Sequence, residues 1–215
     1  MGKITNALLA SLLAGYVNAA AQQSRQNKPT VELGYNAVEA LGTTQGDARI
    51  RDLTNVDFSL GEIKPGFHGL NELTFKQGER TLDTYFGRNV LTLGIGDSKI
   101  VPAAVLKIDK TGVFDAKYGI RNTTLPEALS GYGFLDIVFN KDGANATAFY
   151  GKEAGRFSIE ALGSLEMPYK GRRAFYSEIQ PYLKLGRGYS LTARAEVDGK
   201  DFRKGRYIFG GVKKF

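Results

Sequence analysis

Apolar and polar residues alternate one by one along much of this chain. The alternation is unbroken from Tyr189 to Asp198, and residues 114–121 repeat it. Successive side chains of a β-strand point to opposite faces, so each such segment would present one apolar and one polar face. No comparable stretch shows a helical period of 3.6 residues, except around Leu125 to Leu129. The pattern predicts an all-β protein.

Short turn signals separate these segments. Asp109 to Gly112, Asn140 to Gly143 and Gly186 to Gly188 supply the Gly and Asp residues that tight hairpins need. Strands joined so tightly pair antiparallel, and closing the meander removes its two unpaired edges. We expect one up-and-down barrel domain over residues 22–215, with roughly twelve strands and a range of about eight to fourteen. A longer connection is expected at Gly61 to Leu70.

The N-terminus predicts a signal peptide over residues 1–21. Lys3 is followed by a mainly apolar run from Ile4 to Val17, and small residues follow at Ala19 to Ala21. A basic start, an apolar run and an Ala-x-Ala-like end are the parts of a secretory signal. Leu8, Leu9, Leu12 and Leu13 in this run would also suit an amphipathic N-terminal helix.

Composition excludes several kinds of chemistry. The 215 residues include no Cys and one His, so a thiolate nucleophile, an iron–sulfur cluster and a multi-histidine metal site are all excluded within one chain. We expect no metal, no cofactor and no enzymatic activity. One enzymatic alternative remains, a lipid-modifying barrel enzyme that uses His68 with a nearby Ser59 and Asp57.

Alternation alone does not say which face of a barrel is apolar. A soluble barrel that encloses a hydrophobic ligand and a membrane barrel share the pattern with inside and outside exchanged. Aromatic residues near strand ends favour the membrane barrel, where rings lie at the headgroup level. Those residues are Tyr132, Phe134, Phe149, Tyr150, Phe175, Tyr176 and Tyr189.

The last ten residues, Arg206 to Phe215, carry a family resemblance. The segment resembles the closing strand of bacterial outer-membrane barrels, which typically ends on Phe and has a glycine five positions earlier, as Gly210 is here. It departs from that pattern at Gly211 and Lys213. The resemblance implies an assembly signal, read by the barrel-assembly machinery, that comprises Tyr207, Phe209, Gly210 and Phe215.

The resemblance also implies location and function. We expect an exported protein of the bacterial outer membrane, in contact with membrane lipids, that acts as a passive narrow channel or a structural barrel. Small polar or anionic solutes are the expected passengers. The alternative is a secreted soluble barrel or sandwich that binds a hydrophobic ligand. In the membrane barrel, the polar face would line the lumen with Lys117, Glu160, Glu178, Lys184, Arg194, Glu196 and Arg206.

Basic residues are concentrated near the C-terminus. The whole chain has a formal charge of +7, and residues 199–215 contain six Lys or Arg against Asp201 alone. On a barrel rim, this cluster would meet anionic headgroups or favour anions at a pore mouth. Export argues against nucleic acid as a partner, and a solvated strand end that discourages edge pairing explains the cluster equally well.

Overall fold

A computed structural model of the protein describes residues 30–33, 36–44, 46–76, 82–126, 128–199 and 205–215. The predicted signal peptide, residues 1–21, lies outside the described residues. The strands are β1 (Thr30–Leu33), β2 (Ala37–Thr43), β3 (Ala48–Ser59), β4 (Ile63–Phe75), β5 (Leu82–Ile95), β6 (Ile100–Asp109), β7 (Gly112–Asn122), β8 (Tyr132–Asn140), β9 (Gly143–Ala154), β10 (Phe157–Pro168), β11 (Ala174–Gly186), β12 (Tyr189–Asp198) and β13 (Arg206–Lys214).

Twelve of these strands form a closed antiparallel barrel, which confirms the predicted fold class. Each strand from β2 to β13 pairs with its neighbours in sequence, and β13 pairs with β2 to close the ring. The short strand β1 pairs with the second half of β3, between Val56 and Ser59. None of the described residues forms a helix long and apolar enough to cross a bilayer.

Tight turns produce this up-and-down order. Between β6 and β7, Gly112 has a φ of +112°, and Asp109 Oδ1 accepts a hydrogen bond of 2.7 Å from the backbone N–H of Thr111. Between β11 and β12, Gly188 has a φ of +79°. Glycine adopts positive φ without the steric penalty that a Cβ brings, so the chain reverses within a few residues.

The predicted connection at Gly61 to Leu70 is wrong, because most of it belongs to β4. The turn is confined to the few residues between Leu60 and Ile63, which pair with each other. The last residue pair between β3 and β4 is Asp57 with Gly66, and Pro65 lies just beyond it. A proline is tolerated there because its position needs no N–H for pairing with β3. A proline and three glycines in this segment hide the alternation that a strand normally shows.

The two faces of the barrel differ in polarity, and the polar face is inside. Along β12, Arg194 and Glu196 are each 1% exposed, whereas Leu191 is 52% exposed. Other strands repeat the pattern, with Asp136 fully buried on β8 and Phe209 exposed on β13. Because many charged side chains of the described residues are buried in the interior, the soluble alternative with an enclosed hydrophobic ligand is not favoured.

Candidate functional site in the barrel interior

Arginines and glutamates at alternate positions meet inside the barrel. Arg49 and Arg51 lie two residues apart on β3, and Arg194 and Glu196 lie two residues apart on β12. Because side chains at i and i+2 of a strand share a face, each pair points inward together. The central network, as we define it, consists of Arg49, Arg51, Glu72, Glu178, Arg194 and Glu196.

Arg194 is the most buried arginine of the central network. Its Nη2 lies 3.3 Å from Glu72 Oε2 on β4, its Nη1 lies 3.8 Å from Glu178 Oε2 on β11, and its Nε lies 3.0 Å from Glu196 Oε1. Nε and Nη1 nevertheless donate no well-directed hydrogen bond to an acceptor among the described residues. The guanidinium is therefore held mainly by attraction to the three surrounding carboxylates, and two of its nitrogens keep unused hydrogen-bond donors inside the barrel.

The two arginines of β3 complete the central network. Arg51 Nη1 and Nη2 donate hydrogen bonds of 3.1 Å to the two oxygens of Glu178, and Arg51 Nε donates one of 3.2 Å to Glu72. Arg49 Nη1 lies 3.1 Å from Glu196 Oε2 and 3.2 Å from Glu72 Oε1. With three arginines and three glutamates, the network carries no formal net charge. Three of its ion pairs, Arg49–Glu196, Arg51–Glu178 and Arg194–Glu72, connect strands that are not neighbours in the wall.

A second charged cluster lies on β5, β7 and β8. Asp136 is fully buried and accepts hydrogen bonds from two arginines, Arg121 at 2.7 and 3.0 Å and Arg88 at 2.9 Å. The Arg121 guanidinium also lies 3.9 Å from the centre of the Phe134 ring, a cation–π contact. Two cations thus share a single buried carboxylate.

A cavity of about 510 Å³ opens beside the central network. Its wall includes Asp47, Asp83 and Ala174, which lie at or next to the starts of β3, β5 and β11. The odd-numbered strands of the ring, from β3 to β13, run toward Phe215, so the cavity lies toward the barrel end opposite the C-terminus. Further charged residues in its wall are Arg88, Lys107, Glu166 and Arg206. The arrangement is a polar vestibule bounded by ion pairs.

Three of the seven residues predicted to line the lumen, Glu178, Arg194 and Glu196, belong to the central network. Arg206 lies at its margin, with Nε 3.5 Å from Glu196 Oε2. The other three have separate partners. Lys117 pairs with Asp115, Lys184 Nζ lies 2.6 Å from Glu153 Oε2, and Glu160 accepts hydrogen bonds from Tyr132 and Tyr182.

Sequence reasoning missed half of the central network, Arg49, Arg51 and Glu72. A local signal was present for the arginines, because the apolar Ile50 stands between them in the sequence. In the structure, Ile50 lies on the other face and is 43% exposed. For Glu72 there was none, because it lies on the strand whose beginning was interpreted as a connection. Asp136 and Arg121 were missed as well, although each lies in a segment that was identified as a strand.

His68 does not lie in a loop, as the enzymatic alternative assumed, but on β4. Its Nδ1 is 3.0 Å from Asn55 Oδ1 on β3. Ser59 Oγ instead contacts the carbonyl oxygen of Gly61 at 3.5 Å. A catalytic role for His68 stays a prediction. Among the described residues, no group of three or more His, Asp or Glu side chains could hold a metal ion.

The terminal strand places its rings outside. Tyr207 and Phe209 are each 58% exposed and Phe215 is 79% exposed. Gly210 lies at the closing seam, where a Cβ built on it would be 2.0 Å from the carbonyl oxygen of Ala40 on β2. The role of these four residues as an assembly signal stays a prediction.

Comparison with known proteins places the fold. No protein-family model and no curated protein sequence matches the chain. Among solved structures, the chain is similar to one described as KdgM porin, with a TM-score of 0.50 and 12% identity over 85% of this chain and 99% of that one. The fold is that of a bacterial outer-membrane β-barrel. At this identity, the likeness concerns the barrel fold alone.

A second solved structure is similar over nearly the whole length of both chains. It is the translocator domain of the autotransporter NalP from Neisseria meningitidis, with 11% identity and 98% of each chain covered. Its TM-score of 0.29 is too low to support an argument about this barrel. The function must therefore be argued from the polar interior and the apolar exterior of the barrel.

Proposed function

We propose that this barrel lies in a bacterial outer membrane and acts as a narrow passive channel. The observation that carries the proposal is the central network, which stands in the interior of a closed barrel whose outer face is apolar. An apolar band outside and charged residues inside are the arrangement of outer-membrane barrels. The likeness to a structure described as a porin supports the same proposal.

The central network would act as the constriction. Arg194 and Arg51 reach across the interior to Glu72 and Glu178, so a solute must pass beside these ion pairs. Arginines and glutamates are equal in number there, so a field of one sign does not dominate. The channel would therefore favour small polar solutes and ions of either charge, with weak selectivity.

A structural barrel without conduction is the second candidate. The observation that favours it is the number of ion pairs between strands that are not wall neighbours. Besides the central network, Arg88 on β5 pairs with Asp136 on β8, and Lys107 on β6 pairs with Glu166 on β10. Such contacts brace parts of the wall that are three or four strands apart and fill part of the interior.

Planar-bilayer recording separates the two candidates. The purified barrel, shown to be folded by heat-modifiable migration, should give small unitary conductance steps. The double variant Arg51→Ala with Glu178→Ala removes side chains that cross the interior and should give larger steps, whereas Leu191→Ala on the outer face should not. Folded protein that never conducts, in either form, would leave the structural barrel as the function.

A further inference from the structure

Polar side chains also occur on the outer face of the barrel, and they cluster on three neighbouring strands. Asp52 and Thr54 alternate with the inward residues of β3, Asn71 lies beside Asp52 on β4, and Asn89 lies beside Gly69 on β5. Tyr85 joins them, since its hydroxyl donates a hydrogen bond of 3.0 Å to Asn71 Oδ1. We define the outer polar patch as Asp52, Thr54, Asn71, Tyr85 and Asn89.

The outer polar patch lies near the middle of its strands. Asp52 is the fifth of 12 residues in β3, and Asn89 is the eighth of 14 in β5. At the middle of β8 and β11, by contrast, the outward residues are Ile137 and Ile179, both well exposed. In a membrane barrel, the patch would therefore face the hydrocarbon region, not the headgroups.

Within the barrel the Asp52 carboxylate is poorly compensated. It accepts a hydrogen bond of 3.1 Å from Thr54 Oγ1, and no lysine or arginine among the described residues forms an ion pair with it. A charged or polar group in hydrocarbon is unfavourable unless another polar group meets it. Acyl chains offer no such group, so the partner must be another membrane-embedded protein surface.

The shape of the patch suits close contact. The amides of Asn71 and Asn89 lie low over glycines of the neighbouring strands. A Cβ built on Gly87 would be 2.8 Å from Asn71 Oδ1, and one built on Gly69 would be 3.0 Å from Asn89 Oδ1. Without side chains at these two positions, the amides lie against the wall, beside the Phe67 ring that also covers Gly69.

A second copy of this chain matches the patch in depth. Two copies related by a two-fold axis along the membrane normal bring each residue opposite residues at its own depth. With the axis at β4, β3 of one copy faces β5 of the other. Asp52, an acceptor, then meets Asn89, which is only 8% exposed and whose amide nitrogen is a donor lying close to the wall, and the same contact forms a second time by symmetry.

The strand tilt brings Asp52 and Asn89 to the same depth. Asp52, Asn71 and Gly87 are paired residues on three neighbouring strands, so a line through them runs perpendicular to the strands and crosses two strand spacings. Because the strands tilt by about 40°, Gly87 lies roughly 6 Å farther from the Phe215 end than Asp52 does. Asn89 lies two residues beyond Gly87 toward the Phe215 end, and this step cancels roughly 5 Å of that difference in depth. The two side chains are thus nearly level.

We infer that the outer polar patch is a dimerisation surface on which two copies of this barrel pair Asp52 with Asn89 within the membrane. The inference rests on the proposed membrane location, but not on channel activity. The interface is isologous, so each copy contributes both the acceptor and the donor.

The native chain contains no cysteine, so single reporter cysteines test the inference cleanly. Leu73→Cys places a thiol on the outer face of β4, next to the patch, and Leu191→Cys places one on the outer face of β12, away from the patch, as a control. Outer-membrane vesicles are treated with a short bismaleimide. We expect a dimer for Leu73→Cys, about tenfold more abundant than for Leu191→Cys.

Patch variants in the Leu73→Cys background identify the contact. Asp52→Leu and Asn89→Leu should each lower the cross-linked fraction, because each homodimer loses both Asp–Asn contacts. Co-expression of the two variants should restore part of it, because a mixed dimer keeps one intact contact. This partial rescue would not arise from a general defect in folding.

Other outcomes count against the inference in distinguishable ways. Equal cross-linking of the two reporter variants in folded, heat-modifiable protein overturns the dimer and leaves the membrane location intact. A cross-linked product of another mass overturns the second copy as the occupant. Recovery of the native barrel in the soluble fraction overturns the membrane location itself, and the dimer with it.

Discussion

Arg51 on β3 and Glu178 on β11 make two parallel hydrogen bonds of 3.1 Å inside the barrel, although three strands separate them along the wall. This pairing joins side chains from opposite ends of the sequence. A paired fork of donors fixes both distance and orientation, so the contact braces the wall as well as crossing the interior.

Loss of the Glu178 charge should destabilise the barrel. Glu178→Gln leaves Arg51 without its bidentate partner, and breaking a buried pair by removing one member lowers the free energy of unfolding by about 3–5 kcal/mol. Guanidinium unfolding of the detergent-solubilised barrel, followed by circular dichroism, measures the change. Glu62→Gln, at an exposed turn position, is the control, and equal midpoints for the two variants would contradict the prediction.

Asp136 should contribute more to stability than Arg88, one of its two arginine partners. Asp136→Asn leaves Arg88 and Arg121 facing each other without the carboxylate, whereas Arg88→Gln leaves the Arg121–Asp136 pair intact. We expect about 3–5 kcal/mol of destabilisation for Asp136→Asn and a smaller loss for Arg88→Gln. Parallel unfolding curves give the order, and a larger effect of Arg88→Gln would count against this reading of the cluster.

Gly210→Ala should impair closure of the barrel. The new methyl group would be 2.0 Å from the carbonyl oxygen of Ala40, so β13 and β2 would have to separate at the seam. Gly163→Ala is the control, because a Cβ there meets no atom within 4 Å. Refolding into liposomes without assembly machinery should give a severalfold lower folded yield for Gly210→Ala. A normal yield there, with a defect only in cells, would point to signal recognition instead.

Arginine on the outer face should destabilise the barrel according to depth. Ile179 is the sixth of 13 residues in β11 and is 46% exposed, whereas Leu191 lies near a strand end. In lipid vesicles we expect Ile179→Arg to lower the free energy of unfolding by about 2–4 kcal/mol and Leu191→Arg by about 0–1 kcal/mol. The two alanine variants correct for lost apolar contact, and equal effects of the two arginines would argue against lipid around β11.

In the proposed channel, removal of Glu72 should shift ion selectivity toward anions. Glu72 contacts all three arginines of the central network, so Glu72→Gln leaves an excess of positive charge at the constriction. The reversal potential in a KCl gradient should be near zero for the native barrel and move toward the chloride potential for the variant. An unchanged potential would mean that ions do not pass this network.

The alternation in the sequence predicted an all-β protein and which side chains of a strand share a face. In the segment from Tyr189 to Asp198, period two alone separates Arg194 and Glu196 from Leu191, because a strand has only two faces. Turn residues such as Asp109 and Gly112 made the strands antiparallel neighbours. These features are local, so they can be read without knowledge of the rest of the chain.

Tertiary structure alone decided which charges meet. The contact of Arg51 with Glu178 depends on the number of strands and their stagger around the ring, which no short segment encodes. The same holds for the outer polar patch, since Asp52 and Asn89 lie on different strands and their common depth follows from register and tilt. Sequence thus determined the two faces of each strand, whereas closure of the ring determined the partners on each face.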